Sequence, residues 1–282
     1  MGGEWGSLAE PQMTHAPGLI RNRLLAALPA VEFERIAPHL ELVAMPLGKC
    51  LYQPGVLLSH AWFPTTAIVS LICVMEDGAS SKFASVGNEG VIGTSLFMDA
   101  DAPPGLAIVD VGGFGYRLKG RVLMEEFHRD GTMQRILLRY VQALLKQVCQ
   151  TAACNHYHTV EQQLSHLLLQ TVDRLHSSEL ILTQELIARM LGVRREGITE
   201  AAGHLQKAGC IRYYRGHITV LDRHGLESRS CECYSVVRHE FERLFARTRI
   251  RPRALPTRTA ISLPAFQMAG SGKAEGMRSP GP

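Results

Sequence analysis

The sequence predicts an α+β chain in three parts: an N-terminal antiparallel β-roll of jelly-roll type, a long helix, and a C-terminal winged helix-turn-helix. Three observations carry this. Between Glu41 and Lys119, short runs rich in Val, Ile, Leu and Phe are separated by turn pairs at regular spacing, the pattern of an antiparallel sandwich or barrel. From Arg121 to Cys154 the apolar period becomes helical. From Thr183 to Val220, two helical runs around a glycine precede two short β-like runs around Arg215-Gly216.

Composition bounds the reading. A chain of 282 residues holds one large domain or two ordinary ones, and 46% hydrophobic with 20% charged residues is enough for a sizeable core. A net charge of +4 names no partner, so local charge has to. The cysteines are Cys50, Cys73, Cys149, Cys154, Cys210, Cys231 and Cys233, odd in number and scattered. No secretory apolar region opens the chain, so free thiols in a reducing cytoplasm are expected. No apolar run approaches the ~18 residues of a membrane helix, and no membrane partner is expected.

In chain order, residues 1–18 read as a disordered tail rich in Gly, Pro and small polar types. Residues 19–120 form the β-roll domain. It opens with helical spacing over Asn22–Leu28 and Ala30–Leu40 around Pro29. Its strands are punctuated at Leu47-Gly48, Pro54-Gly55, Asp77-Gly78, Gly87-Asn88-Glu89-Gly90 and Gly112-Gly113. Residues 121–155 form the long helix, on which Leu137, Val141, Leu144 and Val148 recur at steps of four and three. That stripe either packs on its own domain or forms a dimer seam, and two heptads do not decide which. Residues 156–246 form the third domain, with helices predicted over Thr159–Leu175 and Glu227–Phe245. Residues 247–282, rich in Pro, Gly, Ser and Arg, read as a disordered basic tail.

Inside the third domain, the Thr183 hydroxyl can cap a first helix whose apolar face is Leu186, Ile187 and Met190. Gly192 breaks it, being free to take positive φ. A second helix spans 194–207, with small Ala188 where the helices cross and Ile198 as their common plug. In such a motif the first residues of the second helix meet base edges in the major groove of double-stranded DNA. Here these are Arg194, Arg195, Glu196 and Thr199, with Thr183 at the neighbouring helix start. Arginine suits guanine O6 and N7, and glutamate accepts from cytosine N4. The hairpin Tyr213–His217 makes a wing, placing Arg212, Arg215 and His217 near phosphates. The competing reading is a surface helix pair with a solvated charge run.

This order of parts, and the ungapped stretch "TQELIARMLGVRREGITEAAGHLQKAGCI", resembles the Crp/Fnr family of bacterial transcription regulators over 19–226. The resemblance implies a homodimer joined through the long helix, with Leu137, Val141, Leu144 and Val148 facing their mates. It also implies base contacts at Arg195 and Glu196, an inverted-repeat site, and RNA polymerase as a protein partner. Glu200 stands where the family often has arginine, and Gly197 and Gly203 each cost roughly 1 kcal/mol against alanine, so packing must hold that helix.

The family's cyclic-nucleotide members present a glutamate to the ribose and an Arg-Ser pair to the phosphate. Here Gly93 keeps the preceding turn, Thr94 stands in the glutamate place, and Gly105-Leu106 stand in the Arg-Ser place. That pocket reads as degenerate, since the charge-assisted phosphate contact is gone. No cysteine precedes Cys50, where the family's iron–sulfur ligands would lie, and neither Cys149/Cys154 nor Cys231/Cys233 supplies a four-ligand pattern. His156, His158 and His166 read as polar residues near a helix start rather than haem ligands. No metal or cofactor is therefore expected. No GxSxG, P-loop, HExxH or paired-carboxylate pattern appears, so no catalytic residue and no enzyme is expected. The leading expectation is a cytoplasmic, sequence-specific DNA-binding regulator. The alternative is a cyclic-nucleotide-binding regulatory module whose winged helix makes protein contacts.

Overall fold

Asn22 shows how the chain start is fixed. Its Oδ1 accepts from the N–H groups of Leu24 and Leu25, opening α1 (Arg23–Ala26), while its amide donates to the carbonyls of Pro64 and Gly90, each at 2.9 Å. The side chain is fully buried, with both its ends satisfied. In the computed structural model of the protein, residues 21–246 are described apart from 79, 101 and 104. The expected tails, 1–18 and 247–282, lie outside the described residues.

After Pro29 comes α2 (Ala30–Ile36). The strands then follow as expected: β1 (Glu41–Met45), β2 (Cys50–Tyr52), β3 (His60–Pro64), β4 (Ile68–Val74), β5 (Ser80–Val86), β6 (Leu106–Val111) and β7 (Gly113–Lys119). They form two antiparallel sheets, in the orders β1-β7-β3 and β2-β6-β4-β5. Alternation places Val69, Leu71, Ala84, Val86, Ala107 and Val109 of the larger sheet in one buried cluster with Met45 and Trp62 of the smaller.

The predicted helix 121–155 is two helices. α3 (Gly120–Phe127) stops before Asp130, which takes a left-handed φ of 53°, and α4 (Thr132–Tyr157) starts anew. The carboxylate of Glu32 accepts from the N–H groups of Thr132 and Met133, both at 2.8 Å, so α2 caps α4. Met133, Ile136, Leu137, Tyr140, Ala143 and Gln147 are buried along one face of α4. Tyr140 donates to the Val91 carbonyl at 3.0 Å and Gln147 to that of Ser85 at 3.2 Å, fixing the helix on the β-roll.

The C-terminal part of the described chain begins with α5 (Val160–Leu175), opened by a capping box between Thr159 and Gln162. Then come β8 (Glu179–Ile181), α6 (Gln184–Leu191), α7 (Arg195–Lys207), β9 (Ile211–Tyr214) and β10 (His217–Val220), with a small sheet ordered β8-β10-β9. β8 adds an unforeseen third strand to the wing. The predicted helix Glu227–Phe245 is also two: α8 (Arg223–Arg229) and α9 (Glu232–Ala246), separated at Ser230-Cys231. α9 lies on α4, its Val237, Phe241 and Leu244 sharing a core with Ile136, Leu137 and Tyr140.

A buried ion pair joins α5 to the β-roll. Arg174 of α5 donates to Glu89 Oε1 at 2.9 Å and to the Ser85 carbonyl at 3.0 Å, and both charged side chains are under 10% exposed (8% and 7%). Glu89 Oε2 has no partner among the described residues. Such a pair adds little net stability over apolar packing, yet removing one member strands the other. Arg174→Ala is expected to cost about 3–5 kcal/mol in urea unfolding, more than replacing both members by apolar residues of similar size.

Candidate nucleic-acid interface

The interface is built from the two helices α6 and α7. Thr183 Oγ1 accepts from the Leu186 N–H at 3.2 Å, starting α6. Gly192 ends it with φ 66°, and the Val193 N–H donates back to the Ala188 carbonyl at 3.1 Å. Arg194 is the extended residue before α7, which begins at Arg195. Ile198, Ala201, Ala202 and Leu205 of α7 are buried with Ile187 and Ala188 of α6 and with Leu164 and Leu168 of α5. No atom lies within 4 Å of where a Cβ would stand on Gly203, and only Val160, at 3.9 Å, approaches that of Gly197. Neither glycine is demanded by a close contact, so the helix is held by its inner face, as its composition suggests.

The outer face carries the predicted side chains. Arg194, Arg195, Glu196 and Thr199 are exposed, as are Thr183, Arg212, Arg215 and His217. Thr183, Arg195, Thr199 and Arg215 line one cleft between α7 and the wing, together with Gln184 and Gln206. Arg194, Glu196, Arg212 and His217 are exposed outside it. The Thr199 hydroxyl donates to Gln184 Oε1 at 3.0 Å, so part of its bonding capacity ties α7 to α6. At the wing tip Arg215 (φ 49°) and Gly216 (φ 84°) form a two-residue loop with both residues left-handed, the geometry of a type I′ hairpin. Tyr213 anchors the wing, its hydroxyl donating to the Leu182 carbonyl at 2.8 Å and its N–H to Gln206 Oε1 at 2.6 Å. Gln184 and Gln206 were missed from sequence. The position of Gln184 just after the cap Thr183 was a usable signal, whereas that of Gln206 depends on the fold.

Of the positions expected to line a β-roll pocket, Gly93 keeps its turn, and Gly105 and Leu106 carry no charge. Gly93 (φ 103°) opens the 3-10 turn Thr94–Leu96. A Cβ on Gly105 would stand 2.4 Å from the carbonyl oxygen of Ile72, so no larger residue fits without moving β4. Leu106 is half-buried in β6. Lys82 lies instead at the seam with the helices, in a cavity shared with Gln147, His166 and Met190. Burial pulls its pKa down to about 8, against the opposing pull of Asp110. Asp110 is itself raised by burial, and it accepts from Ser70.

In the single chain the stripe expected to form a dimer seam lies against the protein's own core. Leu137 is 1% exposed, and Val141, Leu144 and Val148 pack against their own chain. The neighbouring stripe faces out: Leu138 and Leu145 are 52% and 54% exposed, aligned with Gln142, Cys149 and Ala152. The cysteine reading changes too. His156 is exposed, but Cys154, His158, Cys231 and Cys233 converge, with their ligand atoms all within 4.8 Å of one another.

Residues 162–229 match the family model of the Crp-like helix-turn-helix domain. No curated protein matches the chain. Solved structures share the fold. FixK2 from Bradyrhizobium japonicum has a TM-score of 0.60 at 16% identity, covering 68% of this chain and 98% of its own. The c-di-GMP responsive global regulator CLP from Xanthomonas campestris gives 0.55 at 16%, covering 69% and 100%. A CRP/FNR family transcriptional regulator from Thermus thermophilus gives 0.54 at 21%, covering 67% and 98%. At these identities the likeness is one of fold. The chain therefore has the fold of a Crp/Fnr-type transcription regulator and carries a Crp-like helix-turn-helix DNA-binding domain. No helix among the described residues is long and apolar enough to cross a membrane.

Proposed function

We propose that this chain acts as a homodimer that reads an inverted-repeat DNA site with α7 in the major groove, under a signal other than a cyclic nucleotide. The observation that carries this reading is the cleft shared by Arg195 at the start of α7, Thr183 at the start of α6 and Arg215 on the wing. A helix start supplies backbone donors for phosphate, the wing supplies a second cation, and Arg195 is left to reach a base edge. Double-stranded DNA and RNA polymerase are then its macromolecular partners, in the cytoplasm.

The protomers pair through the outward stripe Leu138, Gln142, Leu145, Cys149 and Ala152, which repeats at steps of four and three. Two-fold symmetry places the half-sites about 34 Å apart. Against the module alternative stands the pocket: Thr94 offers one neutral hydrogen bond worth about 0.5–1.5 kcal/mol, where a micromolar ligand needs roughly 8 kcal/mol.

With a site selected from random duplexes, Arg195→Ala is expected to lose roughly 1–3 kcal/mol of discrimination at one base pair per half-site. Arg215→Asn, chosen because asparagine tolerates the left-handed backbone, weakens binding to every sequence and lowers the salt slope by about 1. An equal loss across all sequences for Arg195→Ala removes that residue from the groove edge. Leu138→Glu and Leu145→Glu should yield folded monomers in sedimentation, because both side chains are exposed in the single chain. A persisting dimer places the interface elsewhere. Calorimetry with cyclic AMP and cyclic GMP should show no micromolar binding, and a micromolar isotherm would restore the module reading.

A further inference from the structure

Two separated pieces of chain bring soft ligands to one point. Cys154 lies in the last turn of α4, and His158 follows one turn later as the cap residue, so both share a helix face. Cys231 and Cys233 flank Glu232 at the entry to α9. Cys154 Sγ is 3.6 Å from Cys231 Sγ, and Cys233 Sγ is 3.4 Å from His158 Nδ1. The three cysteines are 4%, 4% and 0% exposed, and all are free thiols.

These distances fit the edges of one coordination tetrahedron. Zinc sits ~2.3 Å from thiolate sulfur and ~2.0–2.1 Å from imidazole nitrogen, which makes the tetrahedral edges about 3.5–3.8 Å. With all four ligand atoms within 4.8 Å, there is room for a single ion and none for the irons and sulfides of a cluster. Three thiolates and one imidazole are a soft donor set, suited to zinc rather than to magnesium or calcium.

The surroundings point the same way. His158 turns its other nitrogen, Nε2, to Glu232 Oε2 at 3.3 Å, the carboxylate–histidine arrangement that orients a ligating imidazole. The Gln150 amide donates to Cys233 Sγ at 3.2 Å, which suits a thiolate. His166 Nδ1 lies 3.9 Å from Cys154 Sγ, and its buried Nε2 has no partner among the described residues. It lies on α5, so helices on both sides of the α4–α5 junction meet at this point.

We propose that Cys154, His158, Cys231 and Cys233 bind one zinc ion tetrahedrally, stapling α9 to the junction between α4 and α5. Binding exchanges three S–H protons, released to solvent, for three zinc–sulfur bonds, while neutral His158 donates through Nδ1. The staple fixes the end of the long helix where the DNA-reading domain begins.

The test uses the full chain, purified without a histidine tag or chelator and under reductant. Elemental analysis should give about one zinc per chain, and cobalt exchanged into the site should show sulfur-to-cobalt charge transfer with the strong d–d bands of a tetrahedral centre. Cys231→Ser should abolish both signals, and Cys50→Ser, at an exposed thiol on β2, should keep them. His158→Cys should retain the metal with shifted cobalt bands, so the site stays testable if Cys231→Ser does not fold. Wild-type protein with only trace metal and freely titrating thiols overturns the proposal. So does an iron–sulfur chromophore, or a Cys154–Cys231 disulfide in protein isolated from cells.

Discussion

The inner face of α4 is the constraint on which the rest of the structure depends. Ile136, Leu137, Tyr140, Ala143 and Gln147 must all leave water together, and on one helix that fixes its rotation about its own axis. With the rotation set, Tyr140 reaches Val91, Gln147 reaches Ser85, and Leu138 and Leu145 are forced outwards. The same rotation turns Cys154 towards α9 and starts α5 at a defined angle. Glu32, capping the far end from another helix, keeps the register from slipping.

Around this apolar spine, polar contacts supply specificity rather than bulk stability. Arg174 and Glu89 give up hydration to meet each other, and the geometry that compensates them also selects one docking of α5 on the β-roll. Arg189 approaches Asp110 at 4.0 Å across the same seam, with much of its side chain still in water. Helices α6 and α7 therefore rest on a platform whose attachment is partly electrostatic, while their mutual packing is apolar. Those two kinds of contact respond differently to salt, and the second is the less sensitive.

Much of the fold was legible because local rules and tertiary packing agreed. Ala188, Gly192 and Ile198 each have a steric reason to be where they are, and together they specify the crossing of α6 and α7. The exposed position of Arg194, Arg195, Glu196 and Thr199 at the start of α7 was legible for the same reason, since it follows from that crossing. The stripe expected to face a partner packs inward in the single chain, because α4 carries two apolar stripes side by side. Leu137, Val141, Leu144 and Val148 show the regular spacing, but periodicity does not say whether a stripe meets its own chain or another. The breaks at Asp130 and at Ser230-Cys231 carry no proline to announce them. The thiol cluster was invisible because the whole winged domain intervenes between His158 and Cys231, and no local spacing encodes that return.

Gly105 bears on how this β-roll could change over generations. A Cβ placed there would run into the Ile72 carbonyl, so any side chain meets backbone rather than a movable rotamer. An arginine at that position would first have to push β4 aside, losing sheet stability before it gained a phosphate contact. Gaining nucleotide recognition through that position thus begins with a harmful step, and selection acting one substitution at a time would favour other uses of the roll. One close approach between Gly105 and β4 narrows the side chains that position can take.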